Sequence, residues 1–363
     1  MNQILLEAGI SAFVSLVLSF IIIPLLIKLS PVLGLIDKPN IRKVHQKPIP
    51  VAGGIAIVIA TSLSLLLSKT ALRALSTYPM LLTGSLLLFT VGVWDDKKNL
   101  PPSYKLFLQV CCALAVAASG VRLTSMYGIF GIDKLDMYMQ YVTTTFIIVG
   151  VTNAFNLMDG IDGLAGGLAF INLLILASLS FILKEYSVFI LLIVLSMAII
   201  AFLKNNISPA KIFMGDGGSL LLGFLMSSIG ILLIERAKAT NIIETSYVVL
   251  IVSAILIIPA FDSLRVYTWR IRRGESPFKA DKTHLHHLIL LFGLNHKKTS
   301  FSIYIMEILI IAIGILLHMC VDFSVGILLL LILFFTATQL LQLNHGVHSW
   351  LSEIKKMEAE KDV

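Results

Sequence analysis

Eleven predominantly apolar runs divide the chain, and a membrane-spanning helix needs about 20 such residues. The runs lie near residues 4–27, 51–68, 79–94, 104–121, 138–154, 163–183, 186–203, 219–234, 246–262, 303–319 and 322–343. Hydrophobic residues make up 57% of the chain and charged residues 13%, whereas a soluble domain carries roughly 25% charge. The sequence therefore predicts an all-α polytopic membrane protein with about eleven transmembrane helices. It excludes a disordered chain and a water-soluble enzyme.

Three local features refine this architecture. No basic residue precedes Lys28, so the first run is interpreted as a retained span and not as a cleaved signal peptide. The three cysteines lie in apolar runs without metal-ligand or disulfide spacing, which favours a packing role. Residues 121–136 show the alternation of short strands and predict a small hairpin on the outer side of the membrane.

The basic residues predict the orientation of the spans. With the N-terminus outside, the inner segments hold 21 of the 28 lysines and arginines, and the outer connections hold the other 7. Such an excess on one side marks the cytoplasmic loops. The sequence therefore predicts an N-out/C-in protein with one transmembrane domain, residues 1–343, and a cytoplasmic tail, residues 344–363. The net charge of +7 is explained by this topology, so no nucleic-acid partner is expected.

Aspartates from five separate segments fall on the predicted inner side, and several lie where a span ends. An ionised group at such a position is costly unless it faces water, a cation or a partner. A single aspartate could be a helix cap or a residue of a solvated loop, but so many on one face indicate a site for Mg²⁺, which prefers oxygen ligands. These residues are Asp37, Asp95, Asp96, Asp159, Asp162, Asp216, Asp262 and Asp281.

Residues 153–167 form the most specific motif, Asn-Ala-Phe-Asn-Leu-Met-Asp-Gly-Ile-Asp-Gly-Leu-Ala-Gly-Gly. If a helix starts here, Asp159 and Asp162 are three residues apart and share one face. The glycines allow a ligand or a neighbouring helix to come close to the backbone. Small-residue helix packing alone would explain the glycines, but it does not explain the two acids.

Residues 213–219, Phe-Met-Gly-Asp-Gly-Gly-Ser, are predicted to open the eighth span. Free backbone N–H groups at a helix start bind anions, and the glycines would let a phosphate approach. Asp216 would repel a bare phosphate. A metal ion between the carboxylate and the phosphate resolves this conflict.

The basic loop from Arg265 to His287 carries three histidines: His284, His286 and His287. Such a histidine cluster could be interpreted as a zinc site. However, no cysteine is nearby and the remaining ligands would have to be aspartates. A phosphorylated substrate fits a basic, histidine-bearing inner loop better.

Together these motifs resemble the polyprenyl-phosphate N-acetylhexosamine-1-phosphate transferase family. The resemblance covers most of the chain and rests on residues 34–45, 53–54, 93–100, 153–167, 213–219 and 265–287. It is strongest to the branch that initiates O-antigen, enterobacterial common antigen or teichoic-acid synthesis. The sibling branch makes peptidoglycan lipid I and typically has three adjacent histidines, where this chain has His-Leu-His-His at 284–287.

The resemblance implies transfer of N-acetylhexosamine-1-phosphate, with GlcNAc-1-phosphate preferred, from a UDP-sugar to undecaprenyl phosphate with release of UMP. It implies Mg²⁺ as cofactor, with Mn²⁺ as an alternative ion. The expected partners are undecaprenyl phosphate, a UDP-N-acetylhexosamine and membrane lipid, and a homodimer stays open. Residues 1–343 would be the catalytic domain, in a bacterial inner membrane with the active site on the cytoplasmic face.

The family's residue roles pass to the matching positions as expectations. Asp216 and Asp159 would bind the metal, and Asp95 and Asp96 would orient or deprotonate the acceptor phosphate. The expected catalytic residues are Asp95, Asp96, Asp159, Asp162, His284, His286 and His287. The expected substrate-binding residues are Asn156, Lys105, Arg265, Asp37, Arg42 and His45. Asn99 departs from the family pattern, in which an acidic or basic residue is usual, and is given no role.

Three other functions stay open on the residues alone. A proton-coupled transporter would place its acids near the bilayer midplane and often in paired repeats, neither of which is evident. A CDP-alcohol phosphotransferase would have an arginine where this chain has Gly166. The lipid I synthase shares the predicted fold and is the main rival. Direct attack by the lipid phosphate is favoured over a covalent intermediate because both anions can be held on one face.

Overall fold

The computed structural model describes residues 1–37, 48–276 and 283–361, with all side chains except those of Phe130 and residues 344–361. The described chain forms thirteen α-helices, two short strands and one 3₁₀ turn, Ile129–Gly131. The helices are α1 (Asn2–Leu33), α2 (Gly53–Leu65), α3 (Lys69–Thr77), α4 (Pro79–Lys98), α5 (Pro102–Ala118), α6 (Met137–Met158), α7 (Leu164–Ile182), α8 (Tyr186–Asn206), α9 (Gly215–Thr240), α10 (Thr245–Arg272), α11 (Leu285–Leu290), α12 (His296–Cys320) and α13 (Phe323–Lys361). The strands are β1 (Ile36–Asp37) and β2 (Ile49–Pro50).

The helical, polytopic architecture agrees with the sequence, and each predicted run coincides with a helix. Eight described helices are long and apolar enough to cross a membrane: α1, α6, α7, α8, α9, α10, α12 and α13 up to Leu343. The pair α2 and α3 makes a ninth if it is counted as one broken span. Of the other two candidates, α4 ends in four charged residues and α5 is short. The total of eleven spans and the N-out/C-in orientation therefore stay predictions.

Helix α9 is the centre of the bundle. Its most apolar stretch is completely buried, whereas only a third or less of the corresponding stretches of α1, α12 and α13 is buried. It packs against α2, α4, α6, α7 and α10. In a bilayer the exposed apolar side chains of the outer helices face lipid, so burial marks contact with protein and not simply removal from water. The start of α9 is consequently surrounded by the ends of several other helices.

The predicted span at 51–68 is shorter and bent in the structure. Helix α2 ends at Leu65, and α3 leaves it at an angle of 109°. Ser68 caps the start of α3 by accepting a hydrogen bond from the backbone N–H of Ala71 at 3.0 Å. Glu7 of α1 accepts hydrogen bonds from the Ser68 hydroxyl at 2.7 Å and from the Thr70 backbone N–H at 3.0 Å. A new helix start with its own polar partners explains the break.

The hairpin predicted at 121–136 is confirmed, although it is closed by one isolated bridge between Ser125 and Lys134 and has no regular strands. The backbone N–H of Met126 donates to the carbonyl oxygen of Asp133 at 2.8 Å. The sheet formed by β1 and β2 was not predicted, since each strand has only two residues. Next to this sheet, Val51 pairs with Phe213, which joins it to the segment before α9.

Helix α13 continues beyond Leu343 to Lys361. The predicted boundary between the transmembrane domain and the C-terminal tail is therefore a change in composition, without a break in the helix.

Candidate active site

A carboxylate–lysine centre lies where α4 ends and α5 and α9 begin. The Lys105 ammonium donates a hydrogen bond to Asp216 Oδ2 at 3.0 Å and a second one to Asp95 Oδ2. Asn156, near the end of α6, donates from Nδ2 to Asp216 Oδ1 at 2.9 Å and to the Ser219 hydroxyl at 2.8 Å. The structure thus brings together four of the predicted site residues, and both oxygens of Asp216 have partners.

Asp96 holds the start of α9. Its Oδ1 accepts a hydrogen bond from the backbone N–H of Asp216 at 2.9 Å, and its Oδ2 accepts one from Gly217 at 3.4 Å. A carboxylate is favourable here because the first N–H groups of a helix lack partners within the helix. The sequence predicted that these N–H groups would receive a substrate phosphate. In the structure, two of them are bonded to Asp96.

The close approach of α4 and α9 depends on glycine. A Cβ atom on Gly92 would lie 2.4 Å from the backbone nitrogen of Gly217 and 2.5 Å from the carbonyl oxygen of Asp216. Real Cβ atoms do not come this close to backbone atoms, so a side chain at position 92 would force the helices apart. Gly92 therefore brings Asp95 and Asp96 within reach of Asp216.

Asp159 and Asp162 do not share a helix face, so that prediction was wrong. Helix α6 ends at Met158 and α7 begins at Leu164, and both acids lie in the loop between them. The Asp159-Gly160 and Asp162-Gly163 pairs end one helix and start the next, because glycine and aspartate favour turns over helix interiors. The loop turns the two carboxylates toward different partners.

Asp159 faces the centre and Asp162 faces α12. Burial, together with the nearby charge of Asp216, raises the pKa of Asp159 to about 7. Burial also opposes ionisation of Asp162, but hydrogen bonds from His296 and from the Ala210 backbone outweigh it and lower the pKa of Asp162. The Ala210 N–H lies 3.1 Å from Asp162 Oδ2, and His296 Nδ1 lies 3.4 Å from Oδ1.

Helix α12 holds the same loop through residues one turn apart. The Ser300 hydroxyl donates to the Asp162 carbonyl oxygen at 2.8 Å, and the Tyr304 hydroxyl donates to the Gly163 carbonyl oxygen at 2.5 Å. From α8, Asn206 accepts a hydrogen bond from the Gly163 N–H at 3.0 Å. The sequence analysis missed these residues. The four-residue spacing of His296, Ser300 and Tyr304 was the one available signal.

The histidine loop is held by Asp262, which the sequence analysis grouped with the acids of the predicted Mg²⁺ site but did not connect to the histidines. Asp262 Oδ2 lies 2.8 Å from His284 Nδ1, and Oδ1 accepts hydrogen bonds from Arg265 at 2.7 Å and from the Leu285 N–H at 3.0 Å. Arg265 also donates to the Thr283 carbonyl oxygen at 2.7 Å. Arg265 was predicted to bind substrate, but its described hydrogen bonds hold the loop.

The three histidines form a row whose middle ring, His286, lies beside Gly160 of the loop between α6 and α7. The rings of His284 and His286 are parallel with centroids 6.0 Å apart, and those of His286 and His287 are 4.3 Å apart. A Cβ atom on Gly160 would lie 2.7 Å from His286 Nε2. Burial lowers the pKa of His286 to about 3, so this ring is neutral at physiological pH.

The remaining predicted substrate-binding residues precede α2. Asp37 lies in β1, at the end of the chain segment that follows α1. Arg42 and His45 lie outside the described residues.

The donor set suits Mg²⁺ when substrate supplies further ligands. Within residues 1–37, 48–276 and 283–361, no group of three or more His, Cys, Asp or Glu side chains could hold a metal ion alone. Mg²⁺ usually uses one or two carboxylates, water and substrate phosphates, so a complete protein cage is not needed. The Lys105 ammonium between Asp95 and Asp216 shows that the space between these carboxylates accommodates a cation.

The fold and the site define an integral membrane protein with a polar, carboxylate-rich centre at one end of a helical bundle. The chain belongs to glycosyl transferase family 4, whose family model matches residues 78–234, from the start of α4 into α9.

Bacterial relatives extend the similarity to most of the chain. A Bacillus subtilis protein described as a probable undecaprenyl-phosphate N-acetylglucosaminyl 1-phosphate transferase is 31% identical over 92% of both chains. The Escherichia coli K12 undecaprenyl-phosphate alpha-N-acetylglucosaminyl 1-phosphate transferase is 30% identical over 80% of this chain and 78% of its own. The decaprenyl-phosphate N-acetylglucosaminephosphotransferase of Mycolicibacterium smegmatis is 31% identical over 75% of this chain and 72% of its own.

Proposed function

We propose that this protein transfers GlcNAc-1-phosphate from UDP-GlcNAc to undecaprenyl phosphate. An oxygen of the lipid phosphate attacks the β-phosphorus of UDP-GlcNAc, and the bond from that phosphorus to the bridging oxygen of UMP breaks. The products are UMP and undecaprenyl-pyrophosphoryl-GlcNAc. The observation that carries the proposal is the Asp95–Lys105–Asp216 centre, which lies within the matched region of a chain that resembles such transferases along most of its length.

The centre meets the main physical demand of this reaction, which is to bring two phosphate anions together. Lys105 carries positive charge between the acids and can turn one N–H toward a phosphate oxygen, since an ammonium has three donors. Asp95 and Asn156 fix Lys105 and Asp216 in place. Positioning and charge neutralisation account for most of the catalysis in phosphoryl transfer.

Asp216, with Asp159 or Asp95, would hold Mg²⁺, which would offset charge on the donor pyrophosphate and on the departing UMP. Asp96 holds the start of α9 and thereby the backbone of Asp216. Asp96 is therefore a positioning residue in the proposed reaction. Asp95 is the acid that orients the acceptor phosphate through Lys105. Direct attack fits this geometry because donor and acceptor phosphates share one centre.

The excess of basic residues in the segments on the side of the centre supports a cytoplasmic active site in a bacterial inner membrane. UDP-sugars are water-soluble and undecaprenyl phosphate is confined to the bilayer. A centre at the helix ends, close to the membrane surface, is accessible to both substrates.

Donor choice tests the proposal against the lipid I synthase. Purified protein is incubated with undecaprenyl phosphate, Mg²⁺ and one of three labelled donors: UDP-GlcNAc, UDP-GalNAc or UDP-MurNAc-pentapeptide. Reactions without lipid serve as controls. We expect lipid-dependent turnover of UDP-GlcNAc and none of the muramyl donor. Efficient turnover of UDP-MurNAc-pentapeptide would assign the chain to the rival function, and turnover without lipid would exclude both.

A further inference from the structure

Asp262 is a fully buried carboxylate in the second half of α10, ten residues before the helix ends at Arg272, with 0% of its surface exposed. A buried charge is costly unless it is paired and hydrogen-bonded. Here the Arg265 guanidinium, the His284 ring and the Leu285 N–H together use both carboxylate oxygens. This arrangement connects α10 to the first residues of α11 on the far side of the basic loop.

The carboxylate also determines which nitrogen of His284 carries a proton. An ionised carboxylate only accepts hydrogen bonds, so His284 Nδ1 must be the donor in the 2.8 Å contact with Asp262. The other ring nitrogen, Nε2, is buried and has no hydrogen-bond partner among the described residues. A buried polar atom without a partner is rare in a folded protein and calls for a ligand or a water molecule.

His284 is also the first ring of the row that reaches the Asp159 loop. Its ring is parallel to that of His286, whose Nε2 lies next to Gly160. Arg265 fixes the chain immediately before His284 by donating to the Thr283 carbonyl oxygen. A displacement of Asp262 would therefore move or rotate His284 and, with it, the neighbouring histidines.

We propose that Asp262 is a positioning residue that fixes the Nδ1–H tautomer of His284 and directs Nε2, as a hydrogen-bond acceptor, toward a hydroxyl or N–H group of the donor substrate. An acid that orients a histidine from behind supports its ligand-binding nitrogen in the same way at other sites. This role rests on the proposed function.

The test is a double-mutant cycle with Asp262→Asn, His284→Ala and the double variant. Turnover is measured with UDP-GlcNAc and undecaprenyl phosphate, and UDP-GlcNAc affinity is measured without acceptor in case turnover falls below detection. Glu307→Gln is the matched control, because Glu307 is also a fully buried carboxylate but lies on α12 outside the site. Melting temperature is recorded for every variant.

We expect Asp262→Asn to lower kcat by about 10–100-fold, as for other residues that orient a ligand. KM for undecaprenyl phosphate should not change, and Glu307→Gln should keep wild-type kcat. In the His284→Ala background, Asp262→Asn should have no further effect on turnover or donor affinity, because it acts through the ring that is now missing.

If the loss of turnover in the double variant equals the product of the losses in the two single variants, the positioning role is overturned and Asp262 has only a structural role. If Asp262→Asn does not fold, the cycle is repeated with Asp262→Glu, which keeps the charge but displaces the carboxylate. The results are interpreted in the same way. A wild-type protein without transfer activity would instead contradict the proposed function itself. If the wild type is active and the fold-losses of the two single variants multiply in the double variant, only the positioning role is contradicted.

Discussion

The carboxylate of Asp96 accepts a hydrogen bond from the backbone N–H of Asp216 at 2.9 Å, so one acid of the site positions the other. Asp96 is on α4 and Asp216 is on α9, and the contact lies one turn from the close approach of Gly92 to the backbone of Asp216 and Gly217. The adjacent acids Asp95 and Asp96 consequently have different surroundings. Asp95 bonds to Lys105, while Asp96 bonds to the start of α9.

Replacing Asp96 should show how much its acceptor oxygens stabilise the start of α9. Asp96→Ala removes the acceptor for the first N–H groups of α9, and loss of such a cap costs about 0.5–2 kcal/mol. Asp96→Asn keeps an acceptor oxygen and should recover most of the melting temperature lost in Asp96→Ala. Thermal unfolding of the two variants in detergent checks this. Equal melting temperatures for the two variants would show that Asp96 does not act as the cap.

The closeness of α4 and α9 predicts strong sensitivity at Gly92. Gly92→Ala would place a methyl group against the backbone of Asp216 and Gly217, so we expect lower stability and loss of most transfer activity. Gly150→Ala is the control, because a Cβ at that position on α6 meets nothing within 4 Å. Alanine is the better helix former by roughly 1 kcal/mol, so Gly150→Ala should be neutral or stabilising. Normal activity of Gly92→Ala would contradict the described packing.

The raised pKa of Asp159 predicts a pH-dependent stability. Its pKa of about 7 in the folded protein exceeds the ordinary value of 3.8, so its contribution to stability is complete below pH 3.8 and is lost as the pH rises through 7. In chelator, Asp159→Asn should therefore melt above the wild type at pH 8, and this advantage should shrink toward pH 5. Melting curves at the two pH values provide the measurement. An advantage that is equal at both would show that Asp159 does not titrate in this range.

The positive charge of the inner loops predicts a cytoplasmic C-terminus. A fluorescent reporter fused after Val363 should be bright and a phosphatase reporter there inactive. A fusion after Lys184, between α7 and α8, should give the opposite result because that connection is predicted to lie outside. The reverse pattern at Val363 would require one span fewer in the predicted topology.

Much of the fold follows from the sequence because long apolar runs form helices in a membrane, where every backbone polar group must be satisfied within the segment. The run at 219–234 belongs to the most buried of the candidate spans in the described residues. The bend after Leu65 could not be predicted, because it depends on Glu7, which is 61 residues before its partner Ser68. The sheet of β1 and β2 is too short to leave a periodic signal.

Within the site, motifs identified the acids but not their arrangement. Asp95, Lys105, Asn156 and Asp216 lie in separate segments, and the structure brings them into direct contact. The sequence placed Asp159 and Asp162 on one helix because their spacing fits a helix, whereas the glycines that follow them end that helix. Asp262 lacked a local signal, because its partner His284 is 22 residues later across the basic loop.

The most direct test of the proposed function is UMP release from UDP-GlcNAc by the purified wild type and by Asp216→Asn, with undecaprenyl phosphate and across a Mg²⁺ titration. We expect lipid- and Mg²⁺-dependent release by the wild type and by the control Asp133→Asn, which is exposed in the hairpin far from the centre. Asp216→Asn should remain folded but lose roughly 10²–10³ in rate, as when one charge-stabilising contact is removed. Near-normal release by Asp216→Asn at low Mg²⁺, or release by the wild type without lipid, would contradict the assignment of this centre.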